Sequence, residues 1–537
     1  MARDSFVVTF GCRLNTLESE KIKRDLRQKG QTDIIVVNTC AVTAEAERQA
    51  RQAIRKLRRE NPHHKIIVTG CSATLQKDFY EAMPEVDAVV VNPQKGHVLA
   101  FGDAPRLSQF PQPTNPTPRA GIEVLRDLTS DHPASTADTN LTTPSADSSG
   151  RRTPLPFSAS GDFPQDVHGH THTGRSDLRG HSDATSARPA KDEYSSGHLE
   201  NAPLFTSNAD LHTPTVGPAH MMDDRAAEEA PLSGFEGRSR AFLQIQNGCN
   251  NACTFCVIRI ARGRSVSFPF EKILHQAQTF AQQGVQDITL TGVDIASYEY
   301  EGQTLGRLIL DLLDALPSSV RLRLSSLDPA RVDDTLLEAL AHPRLLPYWH
   351  LSLQSGDASV LRRMARRHSP NTVVQLAERA RRVRPNLLLG ADIIVGFPGE
   401  TEAMFQNTCR LVEEARIAWL HIFPYSDRPG TVAQGLTPKI PMTEKKRRLR
   451  ELRLVGQRLL EDTMTSLVGT FVWALVERYE EGICFGKTEH YLPFEAPACD
   501  VPIGHFGRLS VTHVRNDNGP LTLEGVFEKV EKAEPAQ

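Results

Sequence analysis

At 537 residues, 24% charged, 39% hydrophobic and with a formal net charge of −3, the chain has a globular composition and room for two to four domains. The charge balance argues against a nucleic-acid partner only as a global property, because it hides where individual basic residues lie. No signal peptide or transmembrane run is found, so the thiols are expected to stay reduced, in a cytoplasmic setting with no membrane partner.

Three apolar runs open the chain, and each ends on a cysteine: Phe6-Val-Val-Thr-Phe-Gly-Cys12, Ile34-Ile-Val-Val-Asn-Thr-Cys40 and Lys65-Ile-Ile-Val-Thr-Gly-Cys71. Continuous apolar runs of this length are the pattern of strands buried on both faces. Helical patterns follow each run, over 16–29, 44–60 and a shorter stretch after Ser72, so the alternation predicts a parallel α/β domain. Loops after such strands lie along one edge, and cysteines far apart in sequence then converge. A single strand-ending cysteine reads as a small buried hydrophobe. Three equivalent placements suggest a metal site whose metal this domain alone does not identify.

From about Asp103 to about Arg238 the chain is rich in Ser, Thr, Pro, Asp, Gly and His and poor in large apolar residues, a linker composition that predicts disorder. His168, His170 and His172 within it could bind metal, but a solvated linker is the simpler reading.

After the linker, a strand over 242–247 leads into Cys249-Asn-Asn-Ala-Cys253-Thr-Phe-Cys256, a C-x3-C-x2-C motif. Three thiolates so close can hold three irons of a cubane cluster and leave the fourth iron open to a small molecule. Zinc would need a fourth ligand and usually uses two C-x2-C pairs, and no second pair follows. Further strands over 287–291, 320–325, 348–353, 387–395 and 417–424 alternate with helical patterns, which predicts an incomplete (β/α)6 barrel. Gly292, Asp294, Ser326 and Gln354 fall at strand ends, where barrel sites gather, and are candidate cofactor contacts. Each also fits ordinary turn or cap chemistry. Asp392 sits inside an apolar strand and must face something polar, which makes it a further candidate.

Past Gly469, short strands over 470–477, 482–488, 507–514 and 521–527 read as a small β-barrel. Three basic groups could neutralise phosphates: Arg48, Arg51, Arg55 and Arg58 on one helix face; Arg362, Arg363, Arg366 and Arg367; and Lys445 to Arg448 with Arg450. Each is also what a solvated helix face balanced by Glu looks like.

The C-x3-C-x2-C spacing, with Phe255 directly before its last cysteine, resembles the signature loop of the radical S-adenosylmethionine enzymes. The tail resembles the RNA-binding TRAM domain. In order, the three-cysteine α/β domain (1–102), the radical domain (239–466) and the TRAM-like barrel (467–530) resemble the methylthiotransferases, joined by the 103–238 linker. The resemblance implies two 4Fe-4S clusters, an auxiliary one on Cys12, Cys40 and Cys71 and a radical-generating one on Cys249, Cys253 and Cys256. It also implies S-adenosylmethionine as cofactor, with Phe255 near its adenine, and an electron donor such as flavodoxin or ferredoxin. Residues 11–20 and 38–47 look most like the branch that acts on N6-threonylcarbamoyladenosine beside the tRNA anticodon. Relatives act instead on isopentenyladenosine in tRNA or on a ribosomal-protein aspartate. A different radical enzyme with an auxiliary cluster, or a non-enzymatic zinc-stabilised RNA-binding adaptor, would be the remaining readings. Arg259-Ile260-Ala261 stands where the family has Pro-Tyr-Gly.

Overall fold

A computed structural model of the chain describes residues 4–92, 95, 231–232, 234–235, 237–517 and 519–528. The histidines at 168, 170 and 172, and nearly all of the stretch read as a linker, lie outside the described residues. Near that stretch's end, Leu232 and Phe235 are buried in the core of the following domain. Among the described residues, no helix is long and apolar enough to cross a membrane.

The first unit is a parallel sheet of β1 (Phe6–Thr9), β2 (Ile34–Thr39), β3 (Lys65–Gly70) and β4 (Ala88–Val90), in that order. Strand β2 is buried along its whole length because helices cover both faces. Ile34 and Val36 pack with Ile22 and Leu26 of α1 (Arg13–Gln28). Ile35 and Val37 pack with Ile54 of α2 (Ala44–Glu60), with Ala73 of α3 (Cys71–Leu75) and with Tyr80 of α4 (Lys77–Glu81). Helix α1 starts at Arg13, earlier than the apolar periodicity predicts. The reason is Asn15, a polar residue that is buried because its amide bridges the Phe10 and Thr39 carbonyls at 2.7 and 3.0 Å.

The second unit is an open arc of parallel strands. β5 (Arg240–Gln244) leads into β6 (Gln246–Asn247), which pairs with β7 (Val266–Ser267) and closes the cysteine loop. β8 (Asp287–Thr291) lies between β5 and, after the small β9 (Glu299–Tyr300) and β10 (Gln303–Thr304) hairpin, β11 (Arg321–Leu324). The second sheet holds β12 (Ser326–Leu327), β13 (Tyr348–Gln354), β14 (Leu388–Val395) and β15 (Ile417–Pro424). The single strand expected over 320–325 is two strands that change partners at Ser325, from β8 to β13. The 242–247 strand likewise breaks at Ile245, where Gln246 turns inward. Seven strands therefore fill six barrel positions. Leu17 of α1 joins the arc's core, and the long helix Met442–Thr465 covers β15. Gly456 of that helix allows the approach, since a Cβ there would lie 2.7 Å from Leu420 Cδ1.

The tail is a closed barrel in the order β16 (Phe471–Glu480), β17 (Ile483–Thr488), β18 (Pro493–Pro497), β20 (Thr522–Phe527) and β19 (Phe506–Arg515). Sequence reading misses β18, because proline at both ends reads as a turn, yet the prolines occupy the strand's first and last positions while Phe494 and Ala496 point into the core. The β17–β18 turn, Glu489 to Tyr491, plugs the lower end of the arc. Tyr491 stacks on Tyr348 at 5.6 Å, and the fully buried Arg323 pairs with Asp287 at 2.9 Å while donating to the Glu489 carbonyl at 3.1 Å.

Arg323→Ala would leave Asp287 buried and uncompensated, a loss of about 3–5 kcal/mol. The Arg323→Met, Asp287→Leu double variant should recover most of it. Denaturant midpoints for the wild type, the single variants and the double variant measure the coupling.

Candidate functional site

Cys12, Cys40 and Cys71 leave the ends of β1, β2 and β3 along one sheet edge, as parallel topology requires. Cys12 caps α1 and is exposed, whereas Cys40 and Cys71 are buried. Two glycines make the convergence sterically possible. Gly11, at φ +95°, would place a Cβ 2.5 Å from Cys40 Cβ. Gly70, at φ +103°, lies directly against the Thr39 backbone. Nitrogen donors point at the sulfurs: Val42 N–H at Cys40 Sγ (3.4 Å) and Asn92 Nδ2–H at Cys71 Sγ (3.6 Å).

The second triplet lies on the loop after β6, pinned from several sides. Cys249 N–H donates to the Gly263 carbonyl at 3.1 Å, Thr254 N–H to the Met364 carbonyl at 3.1 Å and Ala433 N–H to the Thr254 carbonyl at 2.9 Å. The buried Gln246 amide supports the loop from below, donating to the Gly248 carbonyl at 2.6 Å and accepting from Val293 and Asp294 N–H at 3.0 Å each. Asn251 N–H points at Cys249 Sγ (3.3 Å) and Arg366 Nη1 at Cys253 Sγ (3.4 Å).

All six cysteines are free thiols. Burial pushes Cys40 and Cys256 up to about 12 and Cys249 up to about 11, so ionising these thiols calls for a bound cation. Donor type bears on which one: each triplet offers sulfur alone, which suits iron–sulfur chemistry. Among the described residues, His350, Asp392 and His421 bring three metal-ligand atoms within 4.8 Å of one another.

An ion-pair network joins the two triplets. Arg262, in the short helix Ile258–Arg262 after Cys256, has a 3% exposed side chain and donates to Glu18 Oε1 at 2.7 Å and Asn15 Oδ1 at 2.8 Å, both on α1. Lys95 meets the other Glu18 oxygen at 2.6 Å. Asn92 ties the same helix to β4's end through the Ala261 carbonyl at 2.9 Å. Residues 259–261, where the sequence departs from the family pattern, thus form part of the contact between the two units. Burial would raise Glu18, but Arg262 and then Lys95 outweigh it and hold it at about 2.

The other sequence candidates fall in different places. Gly292 lies against Gln246, where a Cβ would be 2.8 Å from Oε1. Asp294 accepts from Asn251 Nδ2 at 3.0 Å; burial and neighbouring Asp328 raise it. Asp328 goes the other way: its burial is outweighed by His368 and Arg366, which hold it at about 2. Gln354 ends β13 at φ +71°. Phe255 meets Phe397 edge-on at 6.5 Å beside Tyr425 and Met404. Ser326 pairs in register with His350, below the rim. Asp392 also lies below the rim, between His350 and His421.

The basic groups need correction. Arg366 is a site residue, bonded to Cys253, the Ser352 carbonyl and Asp328. Lys445 and Arg448 are buried, on the Tyr425 carbonyl and Glu400 respectively, and Arg447 is held by Glu444 and Glu451. Arg48 pairs with Glu45, and Arg58 with Asp87. Sequence reading also missed Arg262, His350 and His421. The two histidines had a signal, since each interrupts an apolar strand as Asp392 does; Arg262 had none, because its partner lies 244 residues away.

Residues 243–412 match the Radical SAM superfamily, and residues 4–91 match Uncharacterized protein family UPF0004. The chain is 33% identical to the threonylcarbamoyladenosine tRNA methylthiotransferase MtaB of Rickettsia prowazekii, covering 91% of this chain and 90% of that protein. It is 32% identical to the protein of the same name from Treponema pallidum, over 90% of this chain and 93% of the relative. It is 29% identical to the tRNA-2-methylthio-N(6)-dimethylallyladenosine synthase of Roseobacter denitrificans, over 96% and 98%. Among solved structures, the radical S-adenosylmethionine methyltransferase TsrM of Kitasatospora setae is similar at a TM-score of 0.47 and 12% identity, covering 81% of this chain and 74% of that one.

Glu18 contributes stability as a carboxylate, so its contribution is present above the ordinary value of about 4.3 and is lost as pH falls through about 2. Glu18→Gln should lower stability at pH 7 by about 3 kcal/mol and should flatten the acid limb between those values. Urea unfolding across pH for both proteins checks the size and the sign.

Proposed function

Because the chain belongs to the threonylcarbamoyladenosine tRNA methylthiotransferase family of radical S-adenosylmethionine enzymes, we propose that it places a methylthio group on C2 of N6-threonylcarbamoyladenosine beside the tRNA anticodon. The carrying observation is the pair of free-cysteine triplets, one at three strand ends along a sheet edge and one on a single loop, tied together by Arg262 and Glu18. On this reading Cys249, Cys253 and Cys256 hold one 4Fe-4S cluster and Cys12, Cys40 and Cys71 the other. When bound, the clusters and two S-adenosylmethionine molecules supply the radical and methyl-transfer chemistry that the non-acidic C2–H bond demands.

The chain's own residues position and shield. Arg366 places a fixed positive charge beside Cys253, and Arg262 does the same electrostatically for Cys12 and Cys71. Phe255, Phe397 and Tyr425 form an apolar wall beside the second triplet, suited to an adenine face and to keeping water out. Asp294 and Asp328, flanking Asn251, offer carboxylates to the ammonium or ribose hydroxyls of S-adenosylmethionine.

The tail supports an RNA role through aromatic–arginine pairs at its surface, the exposed Phe471 with Arg508 at 4.2 Å and the half-buried Phe485 with Arg478 at 4.3 Å, which suit base stacking. An electron donor such as flavodoxin or ferredoxin and a cytoplasmic location complete the reading. The Roseobacter relative keeps isopentenyladenosine as the second substrate reading.

Anaerobically reconstituted wild type should carry about eight irons and a Cys12, Cys40, Cys71 triple alanine variant about four. Four in both would remove the auxiliary cluster and, with it, the methylthiotransferase reading. Nucleoside analysis after incubation with tRNA carrying either modified adenosine decides the substrate: the methylthio product is expected from the threonylcarbamoyl form.

A further inference from the structure

Arg13 is the first residue of α1, directly after Cys12. Its guanidinium lies 5.9 Å from the Tyr491 ring centroid and within electrostatic reach of Tyr348 and His350, so it faces the interior of the arc rather than its own sheet. The neighbouring cations are mostly spoken for: Arg240 pairs with Glu477 at 2.8 Å and Arg323 with Asp287 at 2.9 Å. Among the described residues, Arg13 has no ion pair. The field around it is positive in excess. Burial would raise Tyr491, but Arg240, Arg13 and Lys487 together bring it down to about 7. A half-buried guanidinium with no carboxylate partner is disposed to take an anionic ligand.

Asp392, the acid beside His350, is engaged elsewhere. Asp392 Oδ1 takes the His350 Nε2–H at 3.0 Å, and His421 Nδ1 lies 3.3 Å from the same oxygen. The Tyr348 hydroxyl, in turn, donates to His350 Nδ1 at 2.9 Å. Both nitrogens of His350 are engaged, so the trio is a closed hydrogen-bond network rather than an open metal cradle. The network leaves Nε2 of the half-exposed His421 on the open side, and His421 and Arg13 both lie within reach of His350. Asp392 and His421 each stand three residues before their strand ends, about 10 Å below the rim that carries the second cysteine triplet. An unpaired cation and an imidazole therefore lie near His350 in the interior of the arc, below the strand ends next to the second triplet's loop.

We propose that Arg13 binds the carboxylate of the threonylcarbamoyl arm, with His421 as a second polar contact, and so selects this adenosine over one bearing an uncharged hydrocarbon arm. The proposal rests on the substrate reading above and deepens it. Arg13 is a specificity residue: it touches the arm and takes no part in bond making. Its position beside Cys12 couples recognition of the arm to the place where the first triplet lies.

The test uses reconstituted full-length protein and two RNAs, one with the threonylcarbamoyl carboxylate free and one with it converted to the methyl ester. Wild type should favour the free carboxylate in kcat/KM and in Kd by about 10- to 100-fold, the worth of one charge-assisted bidentate contact. In Arg13→Gln the ratio should collapse to about 1, and in Arg13→Lys it should be intermediate. The ratio is internal to each protein, so a merely structural loss lowers both rates and leaves the ratio alone. An undiminished ratio in Arg13→Gln, or no preference in wild type, overturns the proposal. A wild type that converts neither RNA overturns the substrate reading itself, and this proposal with it.

Discussion

The buried contact of Arg262 with Glu18 and Asn15 is the interaction on which the site depends. Arg262 follows Cys256 by six residues and Glu18 follows Cys12 by six, so one ion pair sets the distance between two cysteine triplets that belong to separately built units. A guanidinium with a 3% exposed side chain has few alternatives to its partners, which makes the contact geometrically demanding as well as attractive. Lys95 and Asn92 reinforce it from the end of the first unit, both near its last strand. The docking combines these directional polar contacts with a small apolar seam, in which Ala41 and Cys71 pack against Val257 and Ala261 and Leu17 enters the core of the arc.

Each triplet is built by a different solution to the same problem. In the first, three strand ends share an edge, and glycine at positions 11 and 70 removes the side chains that would collide with residues 39 and 40. In the second, eight consecutive residues carry all three thiols, and the loop is held by backbone hydrogen bonds from elements far along the chain, including Met364 and Ala433. Local sequence supplies the ligands in both cases. Their spacing comes from surroundings that the ligands do not touch covalently.

The interior of the arc is polar for a reason that emerges only where three units meet. Strands β13, β14 and β15 bring His350, Asp392 and His421 to one level, α1 brings Arg13, and the β17–β18 turn brings Tyr491 at φ +68°. Each of these would be unfavourable alone in an apolar strand or a buried turn. Together they satisfy most of one another's hydrogen bonds and leave Arg13, among the described residues, without an ion pair.

Much of this was legible in the primary structure. Continuous apolar runs gave the strands, helical periodicity the crossovers, and cysteine spacing both triplets, because each of these signals is local and repeats at a fixed period. The interruption of an apolar strand by Asp392 announced a buried polar site. Its partners could have been sought by the same rule at His350 and His421. The charge runs left two readings open, a phosphate-facing surface or a solvated face balanced by Glu, and neither describes Arg366 and Arg448, whose environment is set from afar by Cys253 and Asp328 and by Glu400. The partner of Arg262, the half-buried and unpaired state of Arg13 and the strand between Pro493 and Pro497 were decided only by tertiary structure. Sequence alone determined which chemical groups are present and which strand or helix carries each; which groups meet depends on contacts between residues tens to hundreds of positions apart, from 42 for His350 and Asp392 to 244 for Arg262 and Glu18, and no local period encodes those.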